Sequence, residues 1–237
     1  MFVGLSPQFQ PFVGVLILTV VFVMVASLIH KYRLWQAEKM RKAQRLLSGA
    51  DRLEGIVQRL GAQALPQELG EFCHDELLAR YRAVQGLYPS DENVGKRIAA
   101  VETSNLGRGV GWDVPPVENE GVLNMHTAAM NGLVDFLTTE TLHSSLDPEL
   151  RRELRERIRV LRAETRFAYC ERTSLEFAGN GDWDKAQNQM LRLMAFLREK
   201  APPNERGKAL YQKATDYYRH YNHRQMPGEE SVEENVA

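Results

Sequence analysis

Cysteine is scarce in this chain: Cys73 and Cys170 are the only two among 237 residues. They have no CxxC spacing and fall on separate predicted helices, which argues against a disulfide framework or a zinc site built on thiolates. Two free thiols suit a reducing compartment. Net charge is almost absent, with 30 Lys and Arg against 31 Asp and Glu. A general nucleic-acid binder carries a strongly basic footprint, so no nucleic acid is expected as a partner. Signatures of catalysis are missing as well. There is no GxxxxGK[ST] phosphate loop and no GxSxG nucleophile turn. Cys170 has no His near it in sequence to form a nucleophilic pair. No enzyme and no cofactor are expected. Apart from one apolar run, no β-branched alternation bounded by turns is sustained, so no strand is expected.

The last absence is the most telling. No charged side chain precedes His30. Within that stretch, Pro11 to Ile29 is a continuous apolar run with Thr19 and Ser27 as its only hydroxyls. At 1.5 Å per residue, a helix of that length spans roughly 30 Å, the thickness of bilayer hydrocarbon. A cleaved signal peptide would place basic residues before the run and a small-x-small site after it. Here the order is reversed, since His30-Lys31-Tyr32-Arg33-Leu34-Trp35 follows, then Lys39, Arg41, Lys42 and Arg45. A core helix of a soluble protein would have a polar face, and this run has none. The reading is an uncleaved transmembrane helix over residues 11–30. Basic residues stay on the cytoplasmic side. Residues 1–10 are therefore expected outside and the rest inside, at a bacterial inner membrane. Lys31, Tyr32, Arg33 and Trp35 are the expected membrane-interface residues.

Residues 31–62 continue as an amphipathic helix. Ala43, Leu46, Ala50, Leu53, Val57 and Leu60 recur at steps of three and four. Two readings stay open: packing on the chain's own domain, favoured by the widening at Leu47 and Ile56, or the seam of a parallel homodimer. Pro66 opens the next helix. Residues 63–104 are expected to form a helical hairpin, with Ser90 capping its second helix. Gly107, Gly109, Gly111, Pro115 and Pro116 make 105–117 a loop between subdomains. A helical bundle over 118–225 follows. Within it, Asp147-Pro148-Glu149 is a strong helix start, and Asp182 is expected to cap the helix after Gly179-Asn180-Gly181. Residues 226–237 are acidic and expected to be disordered. The fold class is all-α: a transmembrane helix leading into packed αα-hairpins. No thirty-four-residue period recurs, and no family is recognised.

Three clusters have a functional reading. His220 and His223 lie one turn apart near Asp216, as metal ligands would, but no second cluster completes a site and a helix C-terminus favours His anyway. No metal is expected. Residues 149–172 hold eight Arg and five Glu. Arg152 with Glu156, and Glu153 with Arg157, are spaced to pair along a solvated face; a partner-docking face is the alternative. Tyr217 and Tyr221 fit a core stripe, whereas Tyr218 falls off it. Trp112 and Tyr218 are the expected partner contacts. The function expected is non-enzymatic: a membrane-anchored scaffold presenting its helical domain to an unidentified protein. The alternatives are a relay working through a juxtamembrane homodimer, and a tethered enzyme assembled from dispersed residues such as His126, His220 and His223.

Overall fold

The computed structural model describes residues 10–61, 65–106, 117–144 and 146–227, with side chains from residue 15 onward. Among these residues the fold is all-α. Seven helices run α1 Gln10–Leu60, α2 Gln67–Leu87, α3 Glu92–Thr103, α4 Glu120–Thr139, α5 Pro148–Gly179, α6 Trp183–Lys200 and α7 Glu205–Asn222. The caps explain most boundaries. Asn119, Asp147 and Asn204 each accept a hydrogen bond from a first-turn N–H of α4, α5 and α7, satisfying a donor the helix cannot. Gly61 and Gly181 take positive φ, 78° and 81°, where the chain leaves α1 and turns after α5, a conformation open to glycine without steric cost.

One expected cap moves and another lacks its side-chain bond. Asp91, not Ser90, caps α3, accepting from Asn93 N at 3.0 Å. Asp182 is the N-cap residue of α6, as expected, but its side chain makes no capping bond; its carboxylate pairs with Lys185 at 2.7 Å instead.

α1 is one unbroken helix of 51 residues with two different environments. Its large apolar side chains from Val15 to Ile29 are all exposed. From Ala43 onward it turns a buried stripe to the domain. Ala43, Leu46, Ala50, Leu53, Val57 and Leu60 are each at most 7% exposed and lie in a core shared with α2, α3, α4 and the first half of α5. The heptad spacing thus serves the chain's own core. A dimer seam through these six side chains would require that core to open.

The core does not divide at the segment containing residues 107–116, which lie outside the described residues. Leu133, Phe136 and Leu137 of α4 join the core of α1 and α2. The division falls along α5. Leu154, Ile158 and Leu161 belong to the first cluster, while Ala163, Phe167, Cys170 and Ala178 join a second cluster with α6 and α7. A 32-residue helix is about 48 Å long, enough to serve both.

Candidate functional site

Three features stand out from the packing. The first is where α1 meets the domain. Lys39 Nζ lies 5.1 Å from the Trp35 ring and 4.9 Å from that of Tyr88, in the α2–α3 turn. Cation–π contact thus ties the hairpin to α1 one turn beyond Trp35. Lys31, Tyr32, Arg33 and Trp35 are all exposed on α1. Arg41, Lys42 and Arg45 follow on the rim of a cleft with Arg80 and His143.

The second is a buried ion pair. Glu76 is fully buried and Arg80, one turn later on α2, is 2% exposed. Arg80 Nε donates to Glu76 at 2.7 Å. The same carboxylate accepts the backbone N–H groups of His143 and Ser144 at 2.9 and 2.8 Å and the Ser144 hydroxyl at 2.7 Å. Arg80 Nη2 donates to Thr141 O at 3.0 Å, and its guanidinium sits 5.0 Å from the Phe136 ring. α1 admits this guanidinium because position 49 is glycine: a Cβ there would lie 1.7 Å from Arg80 Nη1. The network holds the α4–α5 connection against α2. Its hydrogen-bonding groups are turned on one another, so it has the character of a lock rather than of reacting chemistry.

The third is a groove floored by α5 and walled by the start of α4 and by α6. It is an open cleft of about 410 Å³, with Arg166, Tyr169 and Thr173 on its floor and Asn188 and Arg192 on its α6 wall. Arg162, one turn before Arg166, donates to Asn131 Oδ1 of α4 at 2.5 Å and to Lys200 O of α6 at 2.9 Å. The guanidinium groups of Arg162 and Arg166 lie 5.7 and 4.5 Å from the Phe196 ring.

Four arginines of α5 share one face of the helix. On a helix turning about 100° per residue, Arg155, Arg159, Arg162 and Arg166 fall within about 60° of arc. The five glutamates between 149 and 171 fall within another arc of roughly 80°, centred about 130° away. Glu164 pairs with Arg206, and Glu171 with Lys213 and the Tyr217 hydroxyl, on the α7 side. Arg152 and Arg157 have ion-pair partners other than the expected four-apart ones. Arg152 pairs back to Glu149, and Arg157 reaches Glu68 of α2 at 3.3 Å. Among the described residues, no carboxylate lies within ion-pair distance of Arg155, Arg159, Arg162, Arg166 or Arg192, and the Nε atoms of Arg155, Arg162 and Arg166 are buried without a partner. Burial, and then the neighbouring Arg159 and Arg166, lower the pKa of Arg162.

The other candidates disperse. His126 is a nearly buried residue of α4, with Nδ1 unpaired. His220 and His223 lie at the far end of α7, which packs on α5 and α6. Among the described residues no group of three His, Cys, Asp or Glu side chains is placed to hold a metal. Burial drives both thiols away from the reactive anion, Cys73 to about 12 with Glu76 adding to it, and Cys170 to about 11. Tyr218 is half-buried against the second core cluster rather than free on the surface. Trp112 lies outside the described residues. Counting four-residue steps concealed the arginine face; a helical projection at 3.6 residues per turn carries the signal.

Compared with known proteins, the chain matches no family model, no curated protein and no solved structure.

Proposed function

We propose that this protein is a non-enzymatic, single-pass membrane scaffold that holds a helical domain at the cytoplasmic face and offers it to a protein partner. One observation carries the reading. The 18-residue window of α1 with mean hydropathy 2.1 is wholly unburied by the domain, and the same helix then enters the core from Ala43. Apolar side chains exposed on every side of a helix belong in hydrocarbon, where no partner protein is needed to cover them. The charge asymmetry supports the orientation, with the basic run placed only on the domain side. A bacterial inner membrane is the setting this architecture fits. Anchoring confines the domain to the membrane surface, which raises its effective concentration for other membrane components. The anchor and the domain's first helix are continuous, so a pull on one is felt by the core of the other.

The test is topological. A reporter fused after Ala237 in a bacterial host should be active only in its cytoplasmic form, and the protein should resist alkaline carbonate extraction. Release by carbonate, or periplasmic reporter activity, would overturn the anchor or its direction respectively.

A further inference from the structure

The groove between α4 and α6 goes beyond anchoring, because it names the chemistry of what the domain receives. We propose that it binds an extended acidic segment of a partner protein, with carboxylates at alternate positions. The proposal rests on the scaffold reading for its biological setting, but its physical basis is separate.

Charge is the first argument. Arg166 lies on the groove floor and Arg192 on its α6 wall, and Arg155, Arg159 and Arg162 continue the same face of α5 beyond the groove toward the helix N-terminus. None has a carboxylate partner among the described residues. The glutamates between 149 and 171 lie on another arc of α5, and two of them, Glu164 and Glu171, are engaged with Arg206 and Lys213. Lys185, at the end of the groove, is already paired with Asp182, and Glu120 is the acidic residue on the rim. Like charges this close, on half-buried side chains, leave a positive field that an anion relieves.

Spacing is the second. Arg162 and Arg166 are one turn apart, a rise of about 6 Å along α5. Alternate side chains of an extended strand point the same way and recur every ~6.6–6.8 Å. A Glu-x-Glu segment running along α5 therefore sets one carboxylate against Arg166 and the next against the Nη hydrogens that Arg162 keeps besides its bonds to Asn131 and Lys200 O, and the x side chain faces solvent. The planar guanidinium suits paired contact with a carboxylate, as a lysine would not. Asn188, exposed on the α6 wall with no hydrogen-bond partner among the described residues, offers an amide to the segment's backbone.

The chain's own tail is the competing occupant, since Glu229, Glu230, Glu233 and Glu234 are acidic. It has adjacent rather than alternating acids, so it matches the charge but not the spacing.

The test uses the full chain in detergent and a fluorescein-labelled decapeptide of alternating Ser and Glu, followed by anisotropy. The expected result is saturable binding that weakens as salt rises and is at least tenfold weaker when Gln replaces every Glu. Arg162→Gln/Arg166→Gln should weaken it at least tenfold. Arg159→Gln/Arg192→Gln, both exposed positions without structural contacts, should weaken it severalfold with the helical circular dichroism unchanged. Arg157→Gln, on the opposite side of α5 where that residue pairs with Glu68, should leave it unaltered. Equal binding of the Glu and Gln peptides, or no loss in the exposed double variant, overturns the proposal. A tenfold gain on deleting residues 228–237 makes the tail the native occupant and overturns the partner reading. Self-association abolished by Arg159→Gln/Arg192→Gln makes a second copy the occupant and overturns it too. Peptide binding is measured without a bilayer, so its failure leaves the topological result standing, and the reverse holds.

Discussion

Gly49→Ala is expected to destabilise this protein, although the same change elsewhere on α1 should stabilise it. Glycine inside a helix costs about 0.5–1 kcal/mol relative to alanine, mostly through unfolded-state freedom. Gly55 is the control: a Cβ there meets nothing within 4 Å, so Gly55→Ala should gain roughly that 0.5–1 kcal/mol. At Gly49 a Cβ would lie 1.7 Å from Nη1 and 2.7 Å from Cζ of Arg80. A free arginine end would swing aside at small cost. This one is held by Glu76 at 2.7 Å and Thr141 O at 3.0 Å, and it is 2% exposed. Displacing it strips a fully buried carboxylate of its cation, and breaking a buried pair typically costs about 3–5 kcal/mol. Subtracting the propensity gain leaves a net loss of about 2–4 kcal/mol. The assay is urea unfolding of the full chain in detergent micelles, followed by far-ultraviolet circular dichroism. The midpoint should move with little change of slope. Making Gly49→Ala in a Glu76→Gln/Arg80→Met background closes the cycle, and there the alanine should be neutral or stabilising. If Gly49→Ala stabilises the parent chain as much as Gly55→Ala does, the guanidinium is not pinned and the argument fails.

Two further outcomes follow from burial. His126 and His143 have pKa values lowered chiefly by desolvation, His143 also by Arg80. The unfolded chain then binds more protons as pH falls below about 6.5, so stability should be level above that value and decline through the folded pKa. Urea midpoints at pH 7.5 and 5.5 check this, and His126→Leu should shrink the difference; an unchanged difference would remove His126 as a cause. The thiols of Cys73 and Cys170, pushed up to about 12 and about 11, should react with a disulfide reagent at pH 8 far more slowly in the native protein than in urea. Rapid labelling of either in the folded state would contradict its burial.

The helices were largely legible because their signals are local. Asp147-Pro148-Glu149 opens α5 where the cap and the proline place it, and Gly179-Asn180-Gly181 closes it. The stripe from Ala43 to Leu60 was legible as a buried face. Whether a second chain or the same chain covers it depends on α2 and α4, which carry no mark of their destination in the α1 residues. The arginine groove was half legible. Composition announced an Arg-rich helix, but four-residue spacing suggested Arg152–Glu156 and Glu153–Arg157. Arg157 reaches Glu68, 89 positions earlier in the chain, and Glu164 and Glu171 turned to α7.

By itself the sequence determined an all-helical chain with one helix apolar enough to cross a membrane, because periodicity, caps and hydropathy act over a few residues. Tertiary structure alone decided the rest. It placed Glu76 and Arg80 out of water under the α4–α5 connection, with Gly49 making the room. Among the described residues it also left Arg155, Arg159, Arg162 and Arg166 on one face of α5 without a carboxylate, while Glu164 and Glu171 turned to α7. Both outcomes depend on groups brought together from distant points in the chain, where burial and pairing set the energy and local spacing has no hold.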